Sequence, residues 1–284
     1  MVFGQVAGFF LDSCILLPQS LNATQDACND FLNNDKHCFI SQSVQDEVSE
    51  LSKECYDTVC TTIRHYLKPA LALKGITEIT NKNGIIVATV FSEQKKRLKK
   101  EVPIKSNVRG ELVGAIENYI AHKIHQLKDT ETLSINDFLA SALTELENAR
   151  YTIEKPFKSV KVKHVIPDET LTSLPSLNSL IKNDKDVRHI ASAIMYQFQI
   201  NQWVIFVTND GQDILSNNKD IWELFALQCS SPVWALDYHR EITKQQTPVE
   251  YYRNIAIPSE DQKKFGAVME KILGIPILRK PFNC

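Results

Sequence analysis

The stretch GFFLDSCILLP, residues 8–18, decides how the chain is read. An apolar run, Phe9-Phe10-Leu11, meets a carboxylate at Asp12, and apolar residues resume at Cys14. An unpaired carboxylate is costly to bury. Either Asp12 stands just beyond a strand end, or a cation waits for it. Three more runs have the same form: HCFIS (37–41), WVIFVT (203–208) and PVWAL (232–236). Each is short, continuously apolar and bounded by polar or turn-forming residues, the pattern of a buried parallel strand. After HCFIS, Val44, Val48, Leu51, Cys55, Val59, Ile63 and Tyr66 step by three or four along one helix face, with Pro69 expected to close it. Strand, helix and strand in this rhythm predict an α/β fold with crossover connections.

The chain has 284 residues, enough for one large domain or two modest ones. Its net charge of −2 does not announce a nucleic-acid binder, although an acidic site offset by a basic patch gives the same sum. The seven cysteines are scattered and form no CxxC, which argues against a zinc knuckle and for reduced thiols in a cytoplasmic protein. The N-terminus lacks a basic start and Asp12 interrupts its apolar run, so no signal peptide is expected. No stretch approaches the ~20 apolar residues of a membrane span. The sequon Asn22-Ala23-Thr24 is read as chance in this context.

The middle of the chain changes character. Residues 75–91, GITEITNKNGIIVATVF, read as two extended runs around Asn83-Gly84, a β-hairpin whose edge is a candidate dimerisation surface. Residues 93–101 are charged and helix-favouring, and Val108, Leu112, Ile116, Ile120, Ile124 and Leu127 make another helical stripe. Ser134 to Asp137 resembles a capping box that opens a helix to about Arg150. The α/β pattern resumes near Pro167, with a helix carrying Asp186 and His189 to about Phe198. Ser259 caps a last helix that ends at Gly274. The expected division is an α/β domain in two halves, 1–69 and 166–240, a mostly helical insertion, 70–165, and a C-terminal helical extension, 241–284.

Acids gather at element ends. Asp12 ends the first strand, Glu47 sits in the first turns of the next helix, Asp186 opens a later helix, and Asp210 and Asp213 follow WVIFVT. Ligands of open α/β sheets collect beyond the carboxyl ends of the strands. Each acid also has a plainer reading. Asn209-Asp210-Gly211 is turn chemistry, Asp186 suits a helix N-terminus, and Glu47 can be solvated like Glu50 and Glu54. Converging carboxylates repel one another, and hard divalent cations relieve that repulsion.

Taken together, FFLDSCILL, SQSVQDEVSEL (41–51), KDVRHIASAI (185–194) and FVTNDGQDI (206–214) resemble the motifs of the PIN domain, a family of metal-dependent nucleases. The resemblance covers residues 7–55 and 167–240. It implies a three-layer α/β/α fold with a central parallel sheet of four to five strands, here carrying a helical insertion. It implies Mg2+ or Mn2+ held by Asp12 and Asp186 as central ligands, Glu47 and Asp210 completing the shells, and Asp213 as an outer or optional ligand. Asp12, Glu47, Asp186 and Asp210 would be the catalytic set. Thr208, Ser13 and Asn209 would support it, Thr208 through its hydroxyl. Two metal ions about 3.5–4 Å apart can activate water and neutralise phosphate charge without a protein nucleophile. His189 is read as a packing residue outside the site, and Asp237 as a turn or surface residue. Stand-alone PIN toxins are typically half this length, which counts against that role.

The stretch KKRLKKEVPIKSNVR (95–109) carries seven basic residues, Lys95, Lys96, Arg97, Lys99, Lys100, Lys105 and Arg109, and one acid. It reads either as a phosphate-backbone contact or as a solvated helix face. A second basic run spans Lys155 to Lys163. The expected function is an endoribonuclease acting on RNA, with a homodimer mate or an inhibitory protein as further partners. The alternative is a catalytically silent PIN-fold module that binds RNA or protein through its insertion. A haloacid-dehalogenase-like phosphatase needs a second acid two residues after Asp12, where this chain has Cys14.

Overall fold

The computed structural model describes residues 6–16, 28, 37–101, 107–128, 131–155, 161–162, 174–235 and 247–278. Lys105, Pro167, Asp237 and the sequon at Asn22 lie outside the described residues. The chain divides into two compact units: Met1–Leu16, Leu21–Glu47 and Phe157–Cys284 form one, and Leu17–Ser20 with Val48–Pro156 the other.

The first unit is α/β. Its strands are β1 (Gly8–Leu11), β2 (Cys38–Ile40), β5 (Lys161–Val162), β6 (Val204–Val207) and β7 (Gln228–Ser230). They form one five-stranded sheet in the order β5-β2-β1-β6-β7, and every pairing is parallel. Both faces are covered, so β1 and β6 are buried at every position. Gly8 is required by close approach, since a Cβ there would lie 2.0 Å from the His37 carbonyl oxygen. Register aligns Leu11 with Val207 and Val207 with Ser230, so the carboxyl ends of β1, β6 and β7 stand in one row. The chain leaves β1 toward β2 on one side and returns to β6 on the other. The crevice beyond β1 and β6 is therefore a topological switch point.

Helices complete this unit's core. One short helix, α1 (Ser13–Leu16), follows β1 directly. Among the later helices, α7 (Pro175–Leu180) is followed by α8 (Asp184–Ile200), which is capped by Asn183 accepting from the Lys185 N–H and ends at Asn201 in the left-handed region. The turns after β6 lead into α9 (Asn218–Phe225). The stretch expected as a C-terminal extension instead supplies α10 (Pro248–Asn254) and α11 (Glu260–Leu273) to the same core. Phe198 meets Tyr252 and Phe265 edge-on, with centroids 5.2 and 5.4 Å away.

One strand was misplaced by the sequence reading. PVWAL is not extended: residues 232–234 form a turn, with Val233 and Trp234 exposed. The strand is the preceding Gln228–Ser230. Its polar Gln228 hides the pattern, because the buried amide is satisfied by Asn218 Oδ1 at 3.1 Å and the Cys229 carbonyl at 2.9 Å.

The second unit is mostly helical. The helix α2 (Gln42–Thr62) contains the boundary between the units, runs into a π-helical turn, Ile63–Leu67, and is followed by α3 (Lys68–Leu73). Pro69 does not close the helical run. It sits in the first turn of α3, where a missing N–H costs little. Cys55, Val59, Cys60, Ile63 and Leu67 belong to the helical core, so this unit begins at Val48 rather than at 70.

The expected hairpin over 75–91 is also absent. Only Glu78–Thr80 is extended, as β3, and it pairs antiparallel with β4 (Thr132–Ser134). Gly84–Glu101 is a helix, α4. Thr80 and Asn83 form a capping box around a single 3-10 turn, so Asn83-Gly84 starts a helix instead of reversing a strand. Val87, Val90, Phe91 and Leu98 are buried at helical spacing, and this burial overrides the β preference of Ile85 to Val87. The hairpin edge proposed for dimerisation therefore does not exist. Two more helices, α5 (Asn107–Gln126) and α6 (Ile135–Glu154), pack in this unit, with Ser134 capping α6 by accepting from the Asp137 N–H at 3.1 Å. Among the described residues no helix is long and apolar enough to cross a membrane.

Candidate active site

Asp12 leaves the sheet at the end of β1, and its N–H still donates to Val207 O at 3.0 Å. The side chain is buried and saturated with donors. Oδ1 accepts from the Ser13 N–H at 2.7 Å, from Ser13 Oγ at 3.4 Å, and faces His189 Nδ1 at 3.1 Å. Oδ2 accepts from Thr208 Oγ1 at 2.6 Å and from Cys14 Sγ at 3.1 Å. Burial pushes the Asp12 carboxyl up, but the bonds and charge from His189, with Thr208 and Cys14, outweigh it and hold the group below its ordinary range.

Thr208, just past β6, is wholly buried. Besides donating to Asp12, its hydroxyl accepts from the Asp210 N–H at 3.0 Å. Asn209 places its N–H 3.1 Å from Cys14 Sγ and its side-chain nitrogen 3.5 Å from Cys28 Sγ. Burial first, and the Asp12 charge second, push the Cys14 thiol well up, so it is a weak acid in this corner.

Asp186 and His189 lie one turn apart on α8 and share a face. Ligand atoms of Asp12, Asp186 and His189 fall within 4.8 Å of one another. Asp186 is pushed up to about 6, first by burial, then by the charge of Asp12 and, more weakly, of Asp210, with His189 and Asn183 opposing. Glu47, early in α2, joins through His189: its Oε2 lies 3.7 Å from Nε2, while Oε1 meets Lys185 Nζ at 3.4 Å.

Asp210 and Asp213 are used differently. Asp210 Oδ1 accepts from the N–H groups of Gln212 and Asp213 at 3.0 and 2.9 Å, and so shapes its own turn. Asp213 Oδ2 accepts from the Lys182 N–H at 3.0 Å and ties this turn to the segment that leads into α8. The three-residue cluster contains neither of them.

His189 is the residue that the sequence reading left out. It is completely buried and lies between two acids. The available signal was its position three residues after Asp186, inside a stretch of α8 that is buried without interruption from His189 to Phe198. A histidine in so apolar a setting needs polar partners.

The basic residues 95–100 lie on α4 in the second unit. Lys95 pairs with Glu117, and Arg97 stacks over the Tyr66 ring at 4.0 Å. Lys96, Lys99 and Lys100 are exposed, and Arg109 is half-buried at the start of α5. No known family model, curated protein or solved structure matches this chain.

Proposed function

We propose that the Asp12 corner is a divalent-metal site for phosphodiester hydrolysis. The first unit is then a PIN-like three-layer α/β/α domain, and the protein a cytoplasmic endoribonuclease. The observation that carries this reading is the state of Asp186. A carboxyl at a sheet switch point, pushed up to about 6 by burial and by the neighbouring carboxylates, is a group short of positive charge. The donors fit a dication, Mg2+ or Mn2+, since Asp186 offers a carboxylate oxygen within 4.8 Å of ligand atoms of Asp12 and His189, and the Glu47 carboxylate lies 3.7 Å from His189 Nε2. When bound, a dication neutralises phosphate charge and makes the attacking water more acidic.

The chain's own residues do the rest. Thr208 and Ser13 fix the Asp12 carboxylate, and Asp12 fixes the face of α8 that carries Asp186 and His189. Lys96, Lys99 and Lys100 offer ammonium groups to a phosphate backbone. The test is cleavage of single-stranded RNA by the full chain with Mn2+ against EDTA. Cleavage that needs Mn2+ and vanishes in Asp186→Asn is expected. Cleavage equal in that variant would remove the site.

A second reading has one observation in its favour. Asp12 is already satisfied by protein donors, as a purely structural carboxylate would be. The protein would then be a silent PIN-fold module that binds RNA or protein through residues 95–109. Binding that survives Asp186→Asn without any turnover would favour it.

A further inference from the structure

We infer that His189 and Glu47 supply a nitrogen and an oxygen ligand to the dication of this corner, and that Asp12 positions His189 instead of binding the ion. The site then takes a transition-metal ion, Mn2+, Co2+ or Zn2+, ahead of Mg2+. The inference rests on the metal-site reading above and changes who holds the metal.

The first argument is a count of lone pairs. A carboxylate offers about four acceptor sites. On Asp12 these are taken by the Ser13 N–H, His189 Nδ1, Thr208 Oγ1 and Cys14 Sγ, at 2.7, 3.1, 2.6 and 3.1 Å. A metal bound there directly would have to displace donors that Asp12 now satisfies, among them the buried His189 Nδ1 and Thr208 Oγ1.

The second argument is a pair of orphans. His189 Nε2 and Glu47 Oε2 are both buried, and neither has a hydrogen-bond partner among the described residues. They face each other at 3.7 Å, beyond hydrogen-bond reach. Two buried polar atoms left unmade in one corner call for a ligand. Their separation is shorter than the sum of two ordinary metal–ligand bonds, about 4.0–4.3 Å, so one ion can reach both. Asp186, on the same face of α8 as His189, is the third donor.

The third argument is the orientation of the ring. With Nδ1 engaged by the Asp12 carboxylate at 3.1 Å, Nε2, which has no hydrogen-bond partner among the described residues, is the ring nitrogen left to hold an ion. A ligating histidine commonly donates its other N–H to a carboxylate, which fixes the ring's orientation. Asp12 occupies that outer place. An imidazole ligand suits transition ions, whereas Mg2+ prefers oxygen and keeps its waters.

The experiment loads the full chain with one equivalent of Mn2+ and records electron spin-echo modulation. Modulation from a directly bound imidazole nitrogen is expected in the wild type and absent in His189→Gln. Asp12→Asn is expected to keep the nitrogen signal while Mn2+ binds about 10–100-fold more weakly. Competition should show Mn2+ displacing Mg2+ in the wild type, with that preference shrinking in His189→Gln. Bound Mn2+ without nitrogen modulation overturns the inference. If that Mn2+ still supports RNA cleavage, the metal-site reading survives alone. If Mn2+ does not bind, both fall. The wild-type spectrum decides even if a variant does not fold.

Discussion

The Asp12 corner and the basic face of α4 both concentrate charged residues and mean opposite things. In the corner, carboxylates and an imidazole lie largely out of water: Thr208 donates across to Asp12, and His189 lies between Asp12 and Glu47. On α4, Lys96, Lys99 and Lys100 face water, while Lys95 and Arg97 use Glu117 and Tyr66 as neighbours. Water screens the second group and barely touches the first. The difference teaches that charge count says little until burial is known. The buried set constrains the fold, and the exposed set stays solvated.

Asp12→Ala strands the donors of Ser13, Thr208, Cys14 and His189 in the core, and we expect a loss of about 3–5 kcal/mol. Lys99→Ala and Lys100→Ala, by contrast, should stay within about 0.5 kcal/mol of wild type. Equal, small losses in urea unfolding would mean that the corner is not a connected unit.

A smaller effect sharpens the same contrast. The folded Asp186 carboxyl sits at about 6, above its ordinary value near 3.8, so the folded protein binds that proton more tightly than the unfolded chain. Its presence therefore costs nothing below about pH 4, and it destabilises the metal-free protein progressively as pH rises through about 6. Asp186→Asn should match wild type in acid and melt higher than wild type at pH 7 to 8 in EDTA, roughly following that titration. A stability difference independent of pH would show that neither burial nor the Asp12 charge pushes the Asp186 carboxyl up.

Much of this was legible in the sequence. Gly8–Leu11, Cys38–Ile40 and Val204–Val207 are buried on both faces, so their strands read as unbroken apolar runs. The acids that follow them were readable because a carboxylate cannot continue such a run. Gln228–Ser230 was not legible, since the polar Gln228 side chain breaks the apolar pattern and is satisfied by Asn218, ten residues earlier. The helix at Gly84 was missed because Asn-Gly is also a hairpin signal, and only the Thr80–Asn83 cap and the close approach of Ile124 Cγ2, 2.7 Å from the place of a Gly84 Cβ, decide between them. His189 was passed over because burial of a lone histidine is ordinary in a sequence. Its two acidic neighbours come from Asp12 and Glu47, more than a hundred residues away.

The Asp12 corner is expected to bind a cation, and thermal melting at pH 7.5 with and without Mn2+ reads that binding. A ligand that binds only the folded state raises the melting temperature, by about 2.7 kcal/mol of stability at a hundredfold excess over Kd. The account predicts a clear rise for wild type and little or none for Asp186→Asn. Wild-type melting unmoved by Mn2+, or moved equally in Asp186→Asn, would contradict it.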